Sequence, residues 1–190
     1  VLGAEESCTG DPARRAGNEM LYQMQAMMNI ETFTRYGIKK ILTTCPHCYN
    51  IFKNEYPDLG GNYEVKHYSV FLDRMIKNGT LKINNNALKG KSISFHDPCY
   101  LARVAGETAA TRRILAACSS NDGSRNLTEL PRNGRQTACC GAGGGRMWFD
   151  DPPAQRIGTG RLDEIIQTGA NNVAVSCPFC LIMLGDGLAA

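Results

Sequence analysis

The short-spaced cysteines are the residues of this chain best suited to chemistry. The sequence has 190 residues and 9 cysteines, an odd number that rules out complete disulfide pairing within the chain. Thiolates at short spacing bind soft metals or exchange electrons with disulfides. The short-spaced thiols form three groups: Cys45-x-x-Cys48, the double cysteine Cys139-Cys140, and Cys177-x-x-Cys180.

An internal repeat relates these groups. The spacing from Cys45 to Cys177, called the repeat offset below, also separates Cys8 from Cys140. By this offset, Ser7 corresponds to Cys139, so the first copy has no double cysteine. The counterpart of Cys99 would lie before residue 1. We therefore interpret the sequence as a duplication whose first copy is truncated at its N-terminus. On this interpretation, the chain is expected to be the C-terminal piece of a longer protein.

Alternating strand and helix patterns surround the cysteine groups and predict an α/β fold with largely parallel sheets flanked by helices. Glycine and asparagine at residues 78–91 divide the chain into a first unit, residues 1–80, and a second unit, residues 91–190. A polar loop is expected at residues 121–126. The predicted strands cover residues 39–44, 63–67, 92–96 and 172–176, and the predicted helices cover residues 13–36, 48–55, 69–77, 108–117, 154–168 and those after 177.

Both Cys-x-x-Cys pairs are predicted where a strand ends and a helix begins. Helix N-termini offer backbone N–H donors and positive potential, which lower thiol pKa values and stabilise a bound anion. An iron–sulfur cluster fits this setting, with the backbone of Gly141, Gly143 and Gly144 approaching its sulfurs. The repeat-related Arg14 and Arg146 would offset its charge, unless both simply face solvent.

Two other chemistries use the same thiols. Structural zinc takes four ligands, so five cysteines in one copy fit it poorly. A zinc-bound scaffold that docks redox partners nevertheless remains one alternative function. A metal-free thiol–disulfide oxidoreductase also stays open, because Cys-Pro-His-Cys at a helix start is a redox motif.

Composition excludes several classes of protein. The net charge is only +3 and charged residues make up 21%, which argues against a nucleic-acid partner. No apolar stretch reaches the roughly 18 residues of a membrane span. The N-terminus has no basic and apolar leader, so a cytoplasmic, reducing location is expected, where cysteines more often bind metals or catalyse.

Three segments of the second copy carry a resemblance to a known family: His96-Asp97-Pro98-Cys99, Cys139-Cys140-Gly141-Ala142-Gly143-Gly144-Gly145 and Cys177-Pro178-Phe179-Cys180. They resemble the cysteine-rich "CCG" domain of heterodisulfide reductase catalytic subunits and related iron–sulfur oxidoreductases. The segment at residues 6–15 is similar to a branch that passes electrons between a flavoprotein or similar carrier and quinone or other acceptors. The resemblance spans nearly the whole chain.

The resemblance implies an iron–sulfur oxidoreductase, or its electron-transfer part, acting on a disulfide, a quinone or a partner redox protein. Cys139, Cys140 and His96 would lie at the reacting centre. The implied partners are a ferredoxin-like or flavoprotein electron donor and other subunits or domains, which would bring the parent protein to the cytoplasmic face of a membrane. The implied ligands of a 4Fe–4S cluster, cubane or noncubane, are Cys99, Cys139, Cys140, Cys177 and Cys180.

The first copy departs from the family pattern. Cys8, Cys45 and Cys48 would belong to a second iron–sulfur site that needs a ligand outside this chain. Two further residues carry separate expectations: Cys118, outside both copies, is expected to be a buried structural thiol, and the His47 ring is expected to face solvent.

Overall fold

A computed structural model of the chain describes residues 2–84, 87–119, 127–152 and 155–189. The loop expected at residues 121–126 lies outside the described residues. The α-helices are α1 (Asp11–Arg15), α2 (Glu19–Arg35), α3 (Pro46–Asn50), α4 (Tyr68–Lys77), α5 (Ala110–Cys118), α6 (Thr159–Gln167) and α7 (Pro178–Ala189). The strands are β1 (Lys40–Thr43), β2 (Glu64–His67), β3 (Ile93–His96), β4 (Leu127–Glu129) and β5 (Asn172–Val175).

Two parallel sheets confirm the predicted α/β fold. In the part of the chain that the structure describes, β1 and β2 form a two-stranded parallel sheet, and β3 lies between β4 and β5 in a three-stranded one. Parallel strands need crossover connections, which place helices over the sheet faces. The order β4-β3-β5 puts the first strand of the second unit at its centre, as in doubly wound sheets.

The predicted duplication is visible in the element bounds. The repeat offset takes both ends of β1 to the ends of β5, and it takes the first residue of α3 to the first residue of α7. In both units a four-residue strand therefore leads through a cysteine into a helix that begins with proline. Proline suits this first helical position because its missing N–H would have no partner there.

The single helix predicted over residues 13–36 is wrong, because the chain breaks between α1 and α2. Gly17 adopts a left-handed φ of +84°, which glycine tolerates and other residues rarely adopt. The Asn18 side chain then accepts a hydrogen bond from the Leu21 amide at 3.1 Å and begins α2. The chain therefore turns once more than the apolar pattern indicates before it reaches β1.

Two other predictions need correction. The helix predicted over residues 154–168 begins only at Thr159, with Gly158 as the residue before its first turn. The structure also contains β4, which was not predicted because three residues are too short for a recognisable alternation.

Two apolar clusters form the interior of the two units. The cluster in the first unit is built around Tyr22, Ile51 and Tyr56. The cluster in the second unit contains three cysteines together with Leu130, Ala142, Ile165 and Leu184. Three of the five metal-ligating candidates of the second unit are therefore part of its core, where packing holds them in place.

The units meet through polar and aromatic contacts. Asp73 of α4 accepts two hydrogen bonds from Arg113 of α5, at 2.8 and 2.7 Å. The His47 ring stacks on Tyr100, with 4.1 Å between ring centroids. The boundary between units predicted at residues 78–91 stays a prediction. Within the described residues, no helix is both long and apolar enough to cross a membrane.

Candidate metal centre

Seven thiols form one continuous series in which each side chain lies close enough to the next to shift its pKa. Cys45 of the first unit lies beside Cys177 of the second, so the two Cys-x-x-Cys pairs adjoin, and the prediction of two sites stays a prediction. All nine cysteines are free thiols. The order of contact is Cys99, Cys139, Cys140, Cys180, Cys177, Cys45 and Cys48.

This series is largely excluded from water. Cys140, Cys177 and Cys180 are at most 5% exposed, and Cys45 is 8% exposed. Thiolates in such a place repel one another and lose hydration. Full deprotonation of the series therefore needs a bound cation or cluster to offset the charge.

The pKa values along the series show how the charge is shared without a metal. Hydrogen bonds from Cys140 and then Cys99 lower the pKa of Cys139 to about 2. Hydrogen bonds from Cys177 and then Cys48 lower the pKa of Cys45 to about 2. Each thiolate is thus stabilised by protonated neighbours, and replacing those protons with a metal would use the same geometry.

The glycine-rich loop aims backbone donors at the double cysteine. The Gly141 amide donates to Cys139 Sγ at 3.3 Å, and a backbone hydrogen bond from Gly143 also lowers the Cys139 pKa. Gly141 and Gly144 have φ of +97° and +67°, a region that favours glycine. N–H donors to cysteine sulfur are a feature that tunes iron–sulfur sites, so the loop fits such a group.

His96 lies beside the buried thiols. One of its ring nitrogens and the sulfurs of Cys140 and Cys180 all lie within 4.8 Å of one another. Within the described residues, its Nδ1 has no hydrogen-bond partner although the residue is only 1% exposed. Burial, and then the charge of Arg161, lowers the pKa of His96 to about 4. The ring is therefore neutral at neutral pH, with one nitrogen as an N–H donor.

In the first copy, one of the three predicted ligands lies apart from the thiol series. Cys8 is exposed, and it is absent from the thiol series in the part of the chain that the structure describes. Ser7, at the double-cysteine position, donates to Asn29 Oδ1 at 2.8 Å. The Thr9 hydroxyl lies 3.7 Å from Cys48 Sγ. Only Cys45 and Cys48 of this copy join the series.

Both repeat-related arginines face carboxylates. Arg146 is exposed and contacts Asp151 at 2.6 Å. Arg14 is half-buried and lies 2.9 Å from Glu55 Oε2. The predicted role of these arginines in offsetting cluster charge stays a prediction, and these partners reduce the positive charge available for it.

Sequence reasoning missed two residues that shape the site. Arg161 is fully buried and donates to Thr137 Oγ1 at 2.8 Å, shortly before the double cysteine. Gly158 packs against the Cys140 carbonyl. An arginine or glycine in a helical pattern gives no such signal by itself, although the repeat offset relates Arg161 to Asn29, which is also buried.

The expectations for His47 and Cys118 are wrong. His47 is 6% exposed, and its Nδ1 lies 3.0 Å from Asp11 Oδ2 beneath the ring of Tyr100. Cys118 is only partly buried at the end of α5. A histidine between two cysteines looks exposed in the sequence because its cover comes from the other unit.

Comparison with known families identifies the family of the chain. The CCG family, described as "Cysteine-rich domain", matches residues 1–53 and 93–185. The chain belongs to the cysteine-rich domain family. This confirms the resemblance seen in the three cysteine segments.

Several relatives of this cysteine-rich domain protein are named as oxidoreductases or reductases. It is 40% identical to "EtfAB:quinone oxidoreductase" of Syntrophomonas wolfei and 40% identical to "Probable iron-sulfur-binding oxidoreductase FadF" of Bacillus subtilis, in both cases over 100% of this chain and 26% of the relative. It is 32% identical to one subunit of the "Dihydromethanophenazine:CoB--CoM heterodisulfide reductase" of Methanosarcina barkeri, over 98% of this chain and 46% of that relative. The chain thus spans about a quarter to a half of their lengths.

Proposed function

We propose that the chain is the iron–sulfur electron-transfer part of a heterodisulfide-reductase-like oxidoreductase. The proposed ligands of a 4Fe–4S cluster in the second unit are Cys99, Cys139, Cys140, Cys177 and Cys180. The observation that carries the proposal is the thiol series that runs from the partly buried Cys99 and Cys139 to three buried thiols, with backbone amides directed at Cys139. Soft thiolates select iron–sulfur clusters and zinc over hard cations.

The donor set favours an iron–sulfur cluster over structural zinc. Zinc in structural sites is tetrahedral and takes four ligands, whereas the second unit brings five thiols into contact and aims N–H donors at the double cysteine. A bound cluster supplies one-electron transfer. The alternatives are a zinc-bound docking module and a metal-free thiol–disulfide oxidoreductase.

The residues around the thiols have distinct tasks in this proposal. The amides of Gly141 and Gly143 donate to Cys139, and Gly144 adopts a positive φ in the same loop. His96 holds an N–H in a water-excluded position beside Cys140, where it can donate a hydrogen bond to a reacting group. Cys139 and Cys140 are the thiols at which we place the reacting centre.

The first unit provides a second, incomplete site. Cys45 and Cys48 adjoin the second-unit thiols, and Cys8 is the exposed cysteine of the same copy. We propose that this site holds a second iron–sulfur cluster when a ligand from outside this chain completes it. The contact between Cys45 and Cys177 would place the two sites next to each other.

The proposed partners follow from the names of the relatives and from this site. One relative is named for a quinone and another for a heterodisulfide. We propose that a ferredoxin-like or flavoprotein donor supplies electrons, and that a disulfide, a quinone or a partner redox protein accepts them. Other subunits or domains would complete the complex, at the cytoplasmic face of a membrane.

Iron and acid-labile sulfide per chain, measured with an EPR spectrum on protein purified without oxygen, test the proposal. We expect about four iron and four sulfide for a second-unit cluster, as in a [4Fe–4S] centre. A Cys139→Ser/Cys140→Ser variant should lose them. The EPR spectrum of the wild-type chain distinguishes the cubane from the noncubane form.

The matched control is Cys118→Ser, which removes a partly buried thiol outside the series. It should keep the iron content of the wild-type chain. Zinc without sulfide would replace the proposal with the docking module. A folded, metal-free chain that reduces small disulfides would replace it with the thiol–disulfide oxidoreductase.

A further inference from the structure

Arg161 is the largest fully buried side chain among the described residues. It lies on α6, and its side chain is 0% exposed. Burying a guanidinium is unfavourable unless partners offset the loss of hydration. A guanidinium buried close to the thiols is therefore expected to have a specific role.

The guanidinium links two of the three segments that carry second-unit cysteines. Arg161 Nη2 donates to Thr137 Oγ1 at 2.8 Å and to the Ala138 carbonyl at 3.4 Å, directly before the double cysteine. The Thr137 hydroxyl donates in turn to the Asp97 carbonyl at 2.9 Å, in the segment that leads into Cys99. Arg161 thereby fixes the position of both ligand loops.

Arg161 shares its carboxylate partner with a second arginine. Glu164 lies 2.9 Å from Arg161 Nη1, but it also forms an ion pair with Arg132. Two guanidinium groups therefore share one carboxylate. Asp97, the other buried acid nearby, is paired through both oxygens with Arg112 at 2.7 Å.

The first unit has a neutral residue at the same place. Asn29 is related to Arg161 by the repeat offset and is 2% exposed. Its Nδ2 donates to the Cys8 carbonyl at 2.9 Å, and its Oδ1 accepts from Ser7. Asn29 therefore holds the corresponding loop as Arg161 does, without a charge, so positioning alone does not require an arginine.

We propose that Arg161 is a positioning residue whose buried charge raises the reduction potential of the group held by Cys99, Cys139 and Cys140. The inference rests on the proposed function, since it assigns a role toward the cluster of the second unit. A fixed positive charge in a water-excluded site stabilises the more negative, reduced state of a nearby centre. The second unit would then hold an electron more readily than a site with asparagine at that position.

The test is an EPR-monitored redox titration of the whole chain, purified without oxygen, using the signal that Cys139→Ser/Cys140→Ser removes. Arg161→Gln should lower the midpoint potential of that signal. Arg161→Lys, which keeps the charge but not the guanidinium geometry, should leave the potential close to that of the wild-type chain.

A second variant keeps the test decisive if Arg161→Gln fails to fold. Glu164→Gln removes the carboxylate that partly neutralises Arg161, so it should raise the potential. Its control is Asp163→Asn on the same helix, an exposed residue with the same change of charge, whose shift should be smaller because water and salt screen it. A purely structural role would not produce shifts of opposite sign.

Two results would overturn the inference in distinguishable ways. A wild-type chain without iron and sulfide would overturn the proposed function and the inference with it. A loaded chain whose potential is the same in the wild type, Arg161→Gln and Glu164→Gln would overturn the inference alone.

Discussion

The two units place a histidine at the same point of their sheets, but the two histidines differ in what their ring nitrogens contact. In the first unit, Thr43 of β1 pairs with His67. In the second unit, Val175 of β5, which the repeat offset relates to Thr43, pairs with His96. Both histidines are 1% exposed. The ring of His67 contacts a serine hydroxyl at 2.8 Å and a backbone carbonyl at 3.3 Å. Within the described residues, Nδ1 of His96 has no such partner.

The same difference recurs beside the cysteine loops. Asn29 of the first unit satisfies its amide with Cys8, Ser7 and Tyr56, whereas Arg161 keeps a buried Nε without a hydrogen-bond partner among the described residues. Buried polar groups are normally paired, and exceptions call for an explanation. The duplicated scaffold thus provides the positions in both units, and at these two positions the second unit leaves a buried nitrogen unpaired among the described residues.

Among the variants that test this difference between the units, Gly158→Ala is expected to have the largest effect on stability. The ideal Cβ lies 2.5 Å from the Cys140 carbonyl, so the backbone of the double-cysteine loop must move. Such overpacking costs about 1–3 kcal/mol, and the displaced loop should also lower iron content. Urea unfolding of the metal-free chain and iron analysis measure the two effects.

Two variants control for this result. Gly160→Ala lies on the same helix, where the nearest atom is the flexible end of Arg132 at 3.6 Å, and it should be neutral or stabilising by up to about 1 kcal/mol. The first-unit counterpart of Gly158 is Ala26, buried at 0% exposure, so that unit already accepts a methyl group there. Equal stability of Gly158→Ala and the wild-type chain would show that the loop is not held by close contact.

Sequence reasoning was most successful where chemistry and local pattern coincide. The strand, cysteine and helix order around Cys45 and Cys177 was predictable because apolar strands, proline at the helix start and the repeat offset all agree. The contact between those two cysteines was not, because it depends on how the units pack. The burial of His47 under Tyr100 and the charge of Arg161 depend on that packing too, and no local pattern encodes them.

An intermediate effect is expected for Asp73→Asn, which tests the contact between the units. The Arg113 guanidinium, and then Lys77, lower the pKa of Asp73 to about 2. Because the folded-state pKa lies below that of the unfolded chain, the ionised carboxylate stabilises the fold above about pH 4. Since Arg113 is half-exposed and screened, we expect the variant to lose about 1–2 kcal/mol at neutral pH.

The pH dependence identifies the cause of that loss. As the pH falls from about 4 to about 2, Asp73 becomes protonated in the wild-type chain, so the stability difference between wild type and Asp73→Asn should disappear. Asp58→Asn, at an exposed position, is the control and should change stability by less than about 0.5 kcal/mol. A difference that persists unchanged at pH 2 would assign the loss to packing between α4 and α5.

The smallest effects are expected for the two arginines related by the repeat. Arg146 pairs with Asp151 at the surface, so Arg146→Gln should cost at most about 1 kcal/mol. Arg14 is more buried, lies beside Glu55 and stacks over the Tyr22 ring at 4.4 Å, so Arg14→Gln should cost somewhat more. Because Arg146 is exposed to water and Arg14 lies in the first unit, neither variant should shift the second-unit potential as much as Arg161→Gln. A larger shift of the midpoint potential in Arg146→Gln than in Arg161→Gln would show that the exposed arginine after the glycine loop, and not the buried one, controls the potential of the site.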